Sequence, residues 1–256
     1  MIHVIRSCRG TLLLLLVVLL AVGCTPEAEP QPASLVVALF DLSANDREVR
    51  DRYIAEFRQV LDTLPPGSRV VADVVTESTA RDASLSVDSV LPQFNWLKDN
   101  EMAHRARSRR AREALIAAVS TMLTREAPNS DIIGAFAIAE KVLKGRGAAD
   151  FERKSLIVFS DGIHQTPELD FTHQDDLSDE AIERIISAQN ELGRLPDLAG
   201  VDVFMTGTGR LLDDEAAMTL EKLAWVKRFW LSYVSETSAS MDPCDFGPAL
   251  TNWPGE

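Results

Sequence analysis

Two aspartates in this chain each follow directly on a short run of apolar residues. Asp41 comes after the run at 34–40, and Asp161 comes after the run at 155–160. Continuous runs of branched apolar residues are typical of strands buried on both faces, as in a parallel sheet covered by helices. Ligands of open α/β sheets bind outside the carboxyl ends of the strands. Both aspartates are therefore predicted to lie where a ligand binds, and the hydroxyl-bearing residues beside them favour a cation.

The elements that must position these aspartates alternate between strands and helices. Apolar residues recur with helical spacing over 46–64, and a second strand at 68–75 follows a Pro-Pro-Gly break. Further helices are predicted at 100–125, 132–143, 179–192 and 213–234, strands at 156–159 and 201–205, and an antiparallel edge strand at 85–91. Strands that alternate with helices of this length indicate βαβ units and a mostly parallel sheet.

A spaced motif at the first strand carries a resemblance to a known family. Asp41, Ser43 and Asn45 form Asp-x-Ser-x-Asn, and Asp161 follows a Ser and precedes a Gly. This pattern resembles the metal-ion-dependent adhesion site of von Willebrand factor A domains, which has Asp-x-Ser-x-Ser, then a Thr before a helix, then an Asp usually followed by Gly. Ser130 stands in the Thr position. The resemblance implies a Rossmann-like three-layer α/β sandwich, with a mostly parallel central sheet and helices on both faces.

The resemblance also implies a divalent-cation site with five ligands: Asp41, Ser43, Asn45, Ser130 and Asp161. Mg²⁺ or Mn²⁺ suits such a site, because hard cations take oxygen ligands. By resemblance, a further position stays open for a carboxylate from a partner protein, so the chain would bind a protein and catalyse no reaction.

Each of these residues also has a structural interpretation that needs no metal. Asp41, Asn45 and Ser130 are suited to capping helices, and Asp-Gly at Asp161 is a common turn. A degenerate module of the same fold, which binds no metal and serves as a structural or interaction module, therefore remains open.

A magnesium-dependent hydrolase is the alternative among enzymes. Phosphatases of the haloacid dehalogenase type also place aspartates at strand ends, but their first motif is Asp-x-Asp, and Ser43 occupies the second place here. Their last motif has a carboxylate a few residues after Asp-Gly, where this chain has Gln165. The proton-transfer groups would be missing, which favours a protein that is not an enzyme. His164 and His173 suggest a transition-metal site, but their spacing matches no compact ligand motif.

The first 23 residues have the pattern of a bacterial lipoprotein signal peptide. Arg6 and Arg9 precede an apolar core at 12–22, which is short for a membrane span, and a small residue precedes Cys24. We expect lipid on Cys24 and attachment to the bacterial cell envelope, with Thr25 favouring the outer membrane; an uncleaved anchor helix is the alternative. The predicted organisation is a signal at 1–23, a lipidated tether at 24–33, an A-like domain at 34–235 with a helical insertion at about 92–129, and an irregular tail at 236–256.

Charge limits the choice of partners. The formal net charge is −13, and it becomes −15 without the signal, which carries two arginines and no acidic residue. Nucleic acid is therefore not an expected partner, because its phosphates require a basic surface. One local reversal occurs in the helix predicted at 100–125, which carries Arg105, Arg107, Arg109, Arg110 and Arg112. This run is either a solvated face or a docking surface for an acidic partner or for lipid headgroups.

The cysteines exclude an intramolecular disulfide in the processed chain. Of the three cysteines, Cys8 leaves with the signal and Cys24 carries the lipid. Cys244 is then either a spare thiol or an intermolecular link.

Overall fold

A six-stranded sheet in the order β3-β2-β1-β4-β5-β6 forms the centre of the fold. The computed structural model describes residues 31–43, 46–79, 87–95, 97–208 and 219–254. The strands are β1 (Ser34–Asp41), β2 (Arg69–Val75), β3 (Val87–Val90), β4 (Arg153–Phe159), β5 (Asp202–Thr206) and β6 (Phe246–Gly247). Every neighbouring pair is parallel except β2 with β3. The predicted fold class and its antiparallel edge strand are confirmed.

Five helices flank this sheet in the described residues. They are α1 (Arg47–Thr63), α2 (Glu101–Met122), α3 (Ile132–Leu143), α4 (Asp179–Glu191) and α5 (Leu220–Glu236). Each begins after a side chain that accepts a hydrogen bond from a backbone N–H of the first turn: Asp46, Asn100, Asp131, Ser178 and Thr219. Local sequence therefore sets where these helices begin. The start predicted for the last helix, near residue 213, lies outside the described residues.

The helices form one layer on each face of the sheet. Alternate residues of β1 point to opposite faces, so Leu35, Val37 and Leu39 pack with α3, α4 and α5. Val36, Ala38 and Phe40 pack instead with α1 and α2. Because β1 is buried on both faces, its sequence has no polar alternation. The result is the three-layer sandwich that the resemblance implies.

The residues from Pro32 onward contain the hydrophobic core of the fold. The described core residues all lie between Leu35 and Trp253, and Pro32–Glu256 forms a compact unit by itself. We therefore expect residues 32–256 to fold without the preceding segment. The predicted signal peptide and Cys24 lie outside the described residues. Among those that are described, no helix combines the length and apolarity needed to span a membrane.

The segment after α5, predicted to be irregular, takes part in the sheet. Its residues Phe246–Gly247 form β6, which pairs in parallel with β5. Farther on, the ring of Trp253 lies 5.2 Å from that of Phe204, centre to centre, and its indole N–H donates to Thr63 Oγ1 at 2.7 Å. A strand of two residues is too short to show a periodic pattern in the sequence. It is recognised as a strand only because it pairs with β5.

Candidate functional site

Four of the five predicted ligands lie at one edge of the sheet. Asp41 is the last residue of β1, and Ser43 follows it by two positions. Asp161 comes two residues after β4, the parallel neighbour of β1, and Ser130 directly precedes the cap of α3. Asn45 lies outside the described residues. This edge is the carboxyl end of the parallel strands, where ligands of such sheets bind.

The carboxylate of Asp41 is the centre of a hydrogen-bonded cluster. The residue is 1% exposed. Its Oδ1 accepts from Ser43 N and Ser43 Oγ, both at 2.9 Å, and from Ser130 Oγ at 2.6 Å. Its Oδ2 accepts from Ser160 Oγ at 2.6 Å. A buried carboxylate requires partners of this kind, and these connect three separate segments of the chain.

Ser160, predicted only as the end of a strand, is also a member of this cluster. Its hydroxyl donates to Asp41, and its oxygen also accepts from Gly162 N at 3.0 Å. The sequence shows that Ser160 directly precedes Asp161. A serine at the end of a strand has no pattern that predicts a hydrogen bond to a distant aspartate.

Ser130 reaches the cluster because main-chain bonds on both sides hold its loop. The next residue, Asp131, donates its N–H to the carbonyl of Thr76 at 2.8 Å. The Ser130 carbonyl accepts from Gln165 N at 2.8 Å, which ties the loop to the segment after β4. Ser130 is fully buried, and its Oγ also lies 2.7 Å from Ser43 Oγ.

The capping interpretation of these residues is wrong for two of them. Asp46 caps α1 through Glu48 N, and Asp131 caps α3 through Gly134 N. Asp41 and Ser130 therefore cap neither helix. Instead, the hydroxyl of Ser130 donates a hydrogen bond to the carboxylate of Asp41.

Asp161 supplies a second carboxylate with a perturbed acidity. Burial, and then the negative charge of Asp41, raise the pKa of Asp161 to about 7. Its Oδ1 accepts from Ile163 N at 2.8 Å, which favours the charged form and opposes this shift. The residue as a whole is half-buried. A divalent cation near the two carboxylates would compensate their repulsion, so the donor set fits a hard cation.

Tyr53 of α1 adds a polar atom that sequence reasoning missed. It is 1% exposed, and its hydroxyl has no hydrogen-bond partner among the residues that the structure describes. Burial, followed by the charges of Asp41 and Asp161, raises its pKa well above the usual value. A Cβ placed on Gly207 would lie 2.6 Å from Tyr53 Oη and 2.9 Å from the carbonyl oxygen of Ser160. The helical spacing of the sequence marks Tyr53 only as a core residue.

The two histidines near Asp161 do not form a metal site. His164 is 2% exposed, and burial lowers its pKa to about 4. The side chain of His173 is 85% exposed, and its Nδ1 lies 2.7 Å from Asp170 Oδ2. In the part of the chain that the structure describes, no three His, Cys, Asp or Glu side chains converge to hold a metal ion. The candidate site has two carboxylates, and serine hydroxyls supply its other donors.

Known proteins resemble this chain in structure and not in sequence. No family model and no curated protein matches it. A von Willebrand factor type A structure from Catenulispora acidiphila has 12% identity and a TM-score of 0.38 over 83% of this chain and 40% of its own. The human COPII-coat protein Sec24c has 15% identity and a TM-score of 0.42 over 89% of this chain and 31% of its own. The pilus adhesin SpaC from Lactobacillus rhamnosus GG, in its open conformation, has 9% identity and a TM-score of 0.47 over 87% of this chain and 28% of its own.

This chain therefore spans less than half the length of each of these structures. Its mostly parallel sheet has one antiparallel edge strand and helices on both faces. The fold is therefore a three-layer α/β sandwich, the architecture that the resemblance to von Willebrand factor A domains implies.

Proposed function

We propose that this chain is a lipid-anchored protein of the bacterial cell envelope that binds a partner protein through, or beside, a divalent-cation site. Asp41, Ser43, Asn45, Ser130 and Asp161 would hold Mg²⁺ or Mn²⁺. The observation that carries the proposal is the convergence of Asp41, Ser43 and Ser130 within 2.9 Å, from segments far apart in the sequence. The cation, when bound, would supply a positive charge for a carboxylate of the partner, and no reaction is catalysed.

The side chains of the site are arranged in a way that would favour cation binding. The raised pKa of Asp161 reflects its burial first and then the negative charge of Asp41, which a bound cation would offset. Serine hydroxyls keep the Asp41 carboxylate in one orientation, so little side-chain ordering remains to be done on binding. The Tyr53 hydroxyl, which has no hydrogen-bond partner among the described residues, interacts with the charges of Asp41 and Asp161 and is a further oxygen donor beside the site.

A metal-free interaction module is the second candidate. It is favoured by the four hydrogen bonds that Asp41 already accepts, since a cation would have to replace some of them. A phosphatase-like hydrolase is disfavoured, because both oxygens of Asp41 are engaged and the residue is 1% exposed. Such a carboxylate is shielded from a phosphate ester that it would have to attack.

Calorimetric titration of Mg²⁺ and Mn²⁺ into residues 32–256 at pH 8 tests the proposal. We expect saturable binding that Asp41→Ala abolishes and Ser130→Ala weakens. Ser89→Ala, on the edge strand β3, is a matched serine control and should bind as the parent does. Circular dichroism of Asp41→Ala should show an intact fold. Absence of binding to the parent would refute the metal site and support the metal-free module.

A further inference from the structure

The strands β1 and β2 begin at the end of the sheet opposite the candidate site. Strand register aligns Leu35 of β1 with Arg69 of β2, and Arg69 with Val90 of β3. The antiparallel strand β3 therefore ends where the parallel strands β1 and β2 begin. Ser68 joins both sides of this edge: its Oγ accepts from Ser34 N at 3.0 Å, and its carbonyl accepts from Leu91 N at 2.8 Å. The segment that follows β3 thus starts beside the point where the chain enters β1.

This segment exposes large apolar side chains. Six large hydrophobic residues are exposed in the described part of the chain, and four of them fall between residues 90 and 102. The four are Val90 (57% exposed), Phe94 (48%), Leu97 (71%) and Met102 (79%). Such a concentration of apolar surface marks an interaction site.

Basic residues lie next to these apolar side chains. Residues 98–110 contain five Lys or Arg and two Asp or Glu, a net charge of +3 in a chain whose total is −13. The ring of Phe94 lies 5.3 Å from that of His104, centre to centre, so the segment after β3 packs on the first turns of α2. Met102, Arg105 and Arg109 share the outward face of α2, since residues three to four apart are neighbours on a helix.

The five arginines predicted as one run have different roles. Arg105 pairs with Glu101, and Arg107 pairs with Asp99 at 2.7 Å. Arg112 donates to the carbonyls of two residues at the end of α1, at 2.7 and 3.1 Å. Arg109 and Arg110 are exposed and make no ion pair with any residue that the structure describes. Their charges are therefore available to a ligand.

We propose that the basic–apolar surface, defined by Phe94, Leu97, Met102, Arg105, Arg109 and Arg110, rests on an anionic lipid surface. Apolar side chains would enter the headgroup region while the arginines contact lipid phosphates. The inference depends on the lipid anchor proposed above. Ser34 follows Cys24 by ten positions, a reach of at most about 35 Å, so the end of the sheet where β1 begins stays near the membrane.

Salt reduces the opposition from the negative charge of the rest of the chain. The Debye length is about 8 Å at physiological salt, so charges that lie farther than this from the lipid contribute little. The candidate metal site lies at the opposite ends of the strands. The anchored domain therefore presents that site away from the membrane, towards a partner.

Vesicle flotation of residues 32–256 in EDTA tests this surface without the anchor and without metal. We expect binding to phosphatidylcholine vesicles that contain phosphatidylglycerol and not to phosphatidylcholine alone. Arg109→Ala with Arg110→Ala should weaken binding about thirtyfold, because each arginine at an anionic surface contributes about fivefold. Leu97→Gln should weaken it as well. Arg47→Ala and Leu192→Gln, which change exposed residues elsewhere, are the matched controls and should bind as the parent does.

Asp41→Ala should bind the anionic vesicles as well as the parent does, so a failed metal site leaves this result unchanged. Two outcomes would overturn the proposal: no binding of the parent to anionic vesicles, or binding that the arginine and leucine substitutions leave unaltered. Retention on immobilised polyglutamate without binding to vesicles would also overturn it, and would assign the surface to an acidic protein.

Discussion

The acidity of Asp161 leads to a prediction about stability. In the metal-free protein, Asp161→Asn should increase the free energy of unfolding at pH 8 and have a much smaller stabilising effect at pH 5. Asparagine has nearly the same shape, and its Oδ1 still accepts the hydrogen bond from Ile163 N. The substitution therefore removes the charge and little else.

The magnitude follows from the pKa of Asp161 in the two states. Its pKa is about 7 in the folded protein, and the ordinary value of 3.8 applies to the unfolded chain. The fold favours the protonated form of Asp161. The parent protein therefore loses stability as the pH rises from 3.8 to about 7, and the loss levels off above pH 7. Between these two pH values the free energy of unfolding of the parent falls by about 1.4 kcal/mol per pH unit. Between pH 5 and pH 8 the advantage of Asp161→Asn should grow by about 2 to 3 kcal/mol.

Urea denaturation in EDTA, at several pH values between 5 and 8, measures this difference directly. Titrating groups remote from Asp161 affect both proteins equally, so the difference between their unfolding free energies reports on Asp161 together with its interaction with Asp41. Asp62→Asn, on the exposed face of α1, is the matched aspartate control. Parallel curves for the parent and Asp161→Asn would refute the reasoning, since Asp161 would then have an ordinary pKa in the fold. Mg²⁺ at pH 8 should stabilise the parent more than the variant.

Three further predictions concern the residues around the site and the helix that flanks it. Tyr53→Phe should leave the free energy of unfolding unchanged or raise it by about 1 kcal/mol, because the buried hydroxyl has no hydrogen-bond partner among the described residues; a clear loss of stability would reveal a partner. Gly207→Ala should cost more than about 1 kcal/mol in urea denaturation, since φ is +104° and the new Cβ meets Tyr53 Oη at 2.6 Å. The Tyr53→Phe background should relieve part of that cost, and additive effects would contradict the clash. Arg112→Ala should lower the unfolding free energy by about 1 to 3 kcal/mol, because the carbonyls of Leu61 and Leu64, at the end of α1, lose a charged donor; Arg105→Ala, at an exposed pair, should cost little.

Local sequence determined most of the secondary structure. Apolar runs marked β1 and β4, and side chains such as Asp46 and Asp131 set the starts of their helices. These features depend on the spacing of apolar residues and on hydrogen bonds between residues close in sequence. They can therefore be predicted without knowledge of the tertiary structure. The alternation of strands and helices then predicted the mostly parallel sheet. The family motif named Asp41 and Asp161 as candidate ligands, and the structure places both at the carboxyl ends of neighbouring strands.

Only the tertiary structure decided how distant residues meet. Ser130 and Ser160 both bond to Asp41, across separations of 89 and 119 positions, and no local pattern determines such contacts. The raised pKa of Asp161 and the unpartnered hydroxyl of Tyr53 likewise depend on burial and on neighbours that the fold brings together. The physical reason is that hydrophobic periodicity specifies which face of an element is buried, while strand register and helix packing specify what that face meets.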